Sequence, residues 1–83
     1  MRLARYVKFR DEKFGGVLFE TRSEKVYTLT PTAAAVVRQV AQGKGPSEIA
    51  PVLAQSFEAD GATIEREVTA FLAELAEKGL VEA

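Results

Sequence analysis

Side chains able to do covalent or acid–base chemistry are scarce in this chain, and the scarcity is the first constraint on its function. There is no cysteine and no histidine. That removes thiolate nucleophiles, disulfide staples, the usual general base and the commonest metal ligand. Only two aspartates are present, Asp11 and Asp60. Asp11 and Glu12 form the single adjacent acidic pair, but catalytic carboxylates need a concave, partly desolvated site, and the pair reads as part of a turn. Phe14-Gly15-Gly16 could suggest a phosphate cradle. A nucleotide loop, however, needs a Gly-x-Gly-x-x-Gly or Walker pattern feeding a helix, and neither occurs; the glycines read as a bend. The expectation is a domain without catalytic residues, metal or cofactor.

The elements that would position a binding surface must fit into 83 residues, enough for one small domain (1–83) with a single modest core. Hydrophobic content of 47% and charged content of 28% are those of a globular protein. No apolar run approaches a membrane span and no signal-peptide pattern opens the chain, so a cytoplasmic domain without membrane association is expected. The net charge of -1 hides an uneven distribution. Residues 1–25 carry seven basic and four acidic side chains, a balance of +3; residues 26–83 carry four basic and eight acidic, a balance of -4. A nucleic-acid reader presents a basic face to phosphate. Here the segment that reads as helical is the acidic one, so no nucleic-acid partner is expected.

The first thirty residues read as strands. Tyr6-Val7-Lys8-Phe9-Arg10 alternates, with Val7 and Phe9 on one side. Gly16 to Thr21 and Lys25 to Leu29 are runs of β-formers close enough to make an antiparallel hairpin. From Thr30 the period becomes helical. Thr30 supplies an N-cap hydroxyl and Pro31 a first helical residue whose missing N–H costs nothing. The first helix then runs over Thr32 to Gln42, with Ala33, Val36, Val37 and Val40 on one face, and Gly43 closes it. A second helix, Glu48 to Phe57, buries Ile49, Leu53 and Phe57; Pro51 makes it short and irregular near its start. After the break Glu58-Ala59-Asp60-Gly61, Asp60 caps a third helix, Gly61 to Lys78. Ile64, Val68, Phe71 and Leu75 form its core stripe. Gly79 stops that helix in the left-handed region and Leu80 folds back on the last turn. Three strands followed by three helices, with short connections, predict an α+β, winged-helix-like domain with the helices on one face of a three-stranded antiparallel sheet.

Several of these pieces, in this order and spacing, carry a resemblance. They are Phe14-Gly15-Gly16, Tyr27-Thr28-Leu29-Thr30-Pro31-Thr32-Ala33, Gly43, Glu48-Ile49-Ala50 with Leu53, and the run from Val68 to Val81. The chain resembles the PqqD-like proteins, the recognition elements for ribosomally synthesised precursor peptides that accompany radical SAM maturases. The resemblance implies a non-enzymatic peptide-binding module. Such a module captures the leader of a precursor peptide by strand addition along the third strand and presents it to a radical SAM maturation enzyme. The peptide-binding residues it implies are Lys25, Val26, Tyr27 and Thr28 on that strand. With them go Thr69, Leu72 and Ala76, which extend the apolar arc of the last helix to one side, Glu67 and Glu74 bounding the other; the excess on the Leu72 side fits either a groove floor or packing against Leu80 or another helix. An edge strand offers unpaired N–H and C=O groups to any extended chain, and pockets for alternate side chains add selectivity. A small interface of this kind implies micromolar to sub-micromolar affinity. The other reading left by the fold is a winged-helix DNA-binding regulator.

Overall fold

A computed structural model of the chain describes residues 1–56 and 60–82. Its elements, in chain order, are β1 (Arg2–Leu3), β2 (Val7–Glu12), β3 (Gly15–Glu20), β4 (Lys25–Leu29), α1 (Pro31–Ala41), α2 (Pro46–Ser56), α3 (Gly61–Glu77) and β5 (Val81–Glu82). β2, β3 and β4 form an antiparallel meander in that spatial order. The register pairs Phe9 with Leu18 and Leu18 with Tyr27, and on the opposite face Lys8 with Phe19 and Phe19 with Val26. The period-2 alternation therefore sorts the sheet into two faces. Val7, Leu18 and Leu29 are buried on the inner face, with Phe9 and Tyr27 packed at its margin. Lys8, Arg10, Phe19, Val26 and Thr28 are exposed on the outer face.

The Phe14-Gly15-Gly16 bend is where the sheet meets the helices. Gly15 has φ 143°, in the region that favours glycine. A Cβ there would run into the Leu29 carbonyl oxygen and lie 2.7 Å from the Thr30 carbonyl carbon. A Cβ on Gly16 would lie 3.2 Å from the Cβ of Ala34, so the missing side chain lets α1 settle onto the sheet. Asp11 and Glu12 are the last residues of β2 and not a turn. Asp11 pairs with Arg38 of α1, tying strand to helix. Between β3 and β4 the turn is organised by Glu20. Its carboxylate accepts hydrogen bonds from the Ser23 hydroxyl and from the backbone N–H groups of Arg22 (2.7 Å) and Ser23 (2.9 Å). The Ser23 hydroxyl above all, and then these N–H groups, hold its pKa below the ordinary carboxylate value against the opposing effect of burial.

The helices begin and end where local chemistry directs. Thr30 accepts a hydrogen bond from the Ala33 N–H, Asp60 from the Thr63 N–H, and Pro31 opens α1. Both α1 and α3 end in the same way. The N–H of Gly43 reaches Val40 O and that of Lys44 reaches Gln39 O; the N–H of Gly79 reaches Ala76 O and that of Leu80 reaches Leu75 O. Gly43 and Gly79 sit at φ 86° and 72°, the left-handed C′ position of a Schellman motif. α2 starts at Pro46, two residues before the expected Glu48, because Glu48 reaches back to the Gly45 N–H in the manner of a capping box. It continues through Pro51, the sixth of its eleven residues and so at its middle rather than near its start, where the missing N–H deprives the Ser47 carbonyl of a partner. The expected end of this helix at Phe57, its burial, and the break at Glu58-Ala59 lie outside the described residues.

The core gathers Leu18 and Leu29 from the sheet, Ala34, Val36, Val37 and Val40 from α1, Ile49 and Leu53 from α2, and Ile64, Val68, Leu72 and Leu75 from α3. The expected α+β arrangement of three antiparallel strands and three helices is found, with one addition. β1 and β5, of two residues each, pair antiparallel as a second small sheet. The Ala4 N–H donates to Leu80 O (2.9 Å) and the Tyr6 hydroxyl to Gly79 O (2.8 Å), so the start of the chain is fastened to the end of α3.

Candidate functional site

The site is built from a strand edge and an apolar cavity that meet at one junction. β4 is an outer strand of the meander. The Leu29 carbonyl points at Gly15, across the hairpin. By the alternation of antiparallel pairing, residues 25, 27 and 29 then turn their backbone groups toward β3, and Val26 and Thr28 turn theirs toward the free edge. Their side chains stand on the outer face, where Val26 is 60% exposed. The odd residues face the helices. Leu29 is buried, Tyr27 half-buried, and Lys25 exposed at the strand's start.

Immediately past β4 lies a cavity of about 220 Å³. Thr30, Thr32, Ala33 and Val36 line it from the β4–α1 junction and α1, Leu53 from α2, and Ile64, Glu67, Val68 and Phe71 from α3. The periodicity explains why these residues gather. Ile64, Glu67, Val68 and Phe71 are spaced i, i+3, i+4 and i+7, so they share one side of α3. Its lining is apolar apart from two threonines and one carboxylate. Such walls accept apolar side-chain surface, whether a whole aliphatic or aromatic side chain or the methylene stem of a longer one.

The residues expected to bind are only partly brought together. Lys25, Val26, Tyr27 and Thr28 form the strand edge as anticipated. Thr69, Leu72 and Ala76 do not line the cavity. Leu72 is buried in the core at 3% exposure, whereas Thr69 and Ala76 are exposed. Successive residues on a helix differ by about 100° in direction, and Phe71 and Leu72 fall on opposite margins of the buried stripe. Phe71, on one margin, is half-buried and lines the cavity, while Leu72, on the other, is packed into the core. Ala33, expected in the α1 core stripe, is half-buried and lines the cavity, while Ala34 takes the fully buried position. Sequence reasoning missed Thr30, Thr32, Val36, Glu67 and Phe71 as lining residues. The signal available for Glu67 was a carboxylate set among apolar residues three and four positions away.

Among the described residues, no group of acidic, histidine or cysteine side chains is placed to hold a metal ion. No helix among them is long and apolar enough to cross a membrane.

The geometry agrees with the comparisons to known proteins. No curated protein sequence matches the chain closely enough to count as a relative. Three solved structures are similar along essentially its whole length. A structure described as TbiB1 in complex with the TbiA(beta) leader peptide has a TM-score of 0.91 at 25% identity, covering 100% of this chain and 96% of its own. A lasso peptide synthetase B1 complexed with the leader peptide has a TM-score of 0.85 at 28% identity, covering 99% and 96%. The PqqD truncation of Methylobacterium extorquens PqqCD, described as a functional and stand-alone recognition element for ribosomally synthesised and post-translationally modified peptides, has a TM-score of 0.78 at 33% identity, covering 99% and 87%. The family model for coenzyme PQQ synthesis protein D (PqqD) matches residues 15–81, from the glycine bend to the last strand, and the chain belongs to the PqqD family.

Proposed function

We propose that this domain binds the leader segment of a ribosomally made precursor peptide as an added strand on β4 and holds it for a modifying enzyme, without chemistry of its own. One observation carries the reading: an unpaired strand edge that runs directly into an apolar cavity. An extended peptide laid along Lys25–Thr28 gains main-chain hydrogen bonds from Val26 and Thr28 whatever its sequence. A side chain directed inward past Leu29 would reach the cavity between α1 and α3. Membership of the PqqD family and the leader-bound state of two similar structures support a leader peptide as the ligand. In this reading the enzyme served is a radical SAM maturase, the peptide is the direct partner, and no cofactor is held.

The test is a titration of the purified domain with its labelled precursor leader, beside a random DNA duplex at low salt. Saturable micromolar or tighter binding to the peptide, with none to the duplex, is the expected result. Tight duplex binding with steep salt dependence, and no peptide binding, would overturn the proposal in favour of a DNA-binding regulator. Turnover of the precursor by the domain alone would contradict its non-catalytic role.

A further inference from the structure

Glu67 is the one charged side chain in the lining of the cavity. It is exposed and takes part in none of the ion pairs formed among the described residues. Its helical neighbours at three and four residues are Thr63, Ile64, Ala70 and Phe71, none of them basic. Other carboxylates among the described residues, Glu65 and Glu77 of the same helix included, also form no ion pair. What sets Glu67 apart is its place in the cavity lining, beside the apolar walls of Ile64, Val68 and Phe71.

We infer that the leader segment bound by this domain carries a lysine or arginine, whose methylene stem lies over these apolar walls and whose cationic head meets Glu67. Long basic side chains are suited to such a seat because their stems bury well while their heads stay at the rim in water. A purely aliphatic side chain would fill the space but leave the carboxylate unmatched, and an acidic one would be repelled. The inference rests on the strand-addition reading and adds to it the chemical class that the site selects.

The test uses a displayed library of random fifteen-residue peptides, selected in parallel on the wild-type domain, on Glu67→Gln and on Glu67→Lys. Glu65→Gln, an α3 carboxylate outside the cavity lining, serves as control. Wild type and the control are expected to enrich Lys or Arg at one fixed position within an alternating apolar motif. Glu67→Lys should keep the apolar motif and exchange that position for Asp or Glu. A synthetic peptide from the wild-type selection should bind Glu67→Gln about three- to fivefold more weakly at low salt, the range of a partly exposed ion pair, with the loss shrinking as salt is raised. The same apolar motif on all proteins with no charge preference at any position would overturn the inference and leave strand addition standing. Failure of every protein to enrich any motif would overturn the peptide-binding reading and this inference with it.

Discussion

The two outer strands of the meander are built differently. β2 is the longer, with six residues against five in β4, and so offers the larger number of free backbone groups. Yet its outer-face side chains are Lys8, Arg10 and Glu12, and its inner-face Asp11 is tied to Arg38. β4 presents Val26 and Thr28 in the corresponding places, with Lys25 as its single charge. Charged side chains along an edge discourage the addition of another strand, whereas β-branched residues pack well against one. If a peptide adds as a strand to this sheet, the contrast favours β4, the undefended edge, over β2, the edge with more free amides.

The largest effect should come from Tyr27→Pro. The Tyr27 N–H points into the sheet, so proline there removes a ladder bond and strains a core-facing position, at a cost of about 3 kcal/mol or more of fold stability. Thermal denaturation checks it, and an unchanged melt would break the assignment of amides to the two sides of β4. Val26→Pro and Thr28→Pro should instead leave the melt nearly unaltered and cost about 1–2 kcal/mol of peptide binding, roughly tenfold in affinity. Hydrogen exchange sharpens the point, since bound peptide should slow the amides of Val26 and Thr28 and leave β2 unaffected. The double substitution Val26→Lys with Thr28→Glu copies the β2 pattern onto β4. It should weaken peptide binding several-fold while shifting fold stability by no more than about 0.5 kcal/mol, as expected for exposed positions; undiminished affinity would show that edge charges are irrelevant here.

The smallest effect concerns the turn that aims β4. Glu20 has a lowered pKa in the folded state, so its ionised form contributes stability above the ordinary carboxylate value of 4.5. That contribution is lost as pH falls through the lowered value. Melts of wild type and Glu20→Gln between neutral and strongly acidic pH should differ at the neutral end and converge at the acid end. A constant difference would remove the carboxylate from the account.

What could be read from the sequence was what local chemistry decides. Alternation revealed the three strands of the meander, and Thr30, Asp60, Gly43 and Gly79 marked helix boundaries through capping that involves residues only a few positions apart. β1 and β5 were not legible, because two-residue strands have no period and exist only through pairing between the two ends of the chain. The strand half of the candidate site, Lys25 to Leu29, was legible as a strand from its run of β-formers. Its helical half was not. Phe71 and Leu72 are adjacent and apolar, and only the tertiary packing of α3 decides which of them is packed away and which faces the cavity.

The close approach at Gly15 has a consequence for the energetics of recognition. Its backbone rests against Leu29 and Thr30, between the strand that would receive a peptide and the helix that walls the cavity. Strand edge and cavity are thereby set at a fixed separation before any ligand arrives. A peptide seated there would bear the ordering cost almost alone. Its binding should show the negative heat-capacity change of apolar burial, with little further change from folding of the domain itself. Replacing Gly15 by any larger residue would move that cost onto the protein.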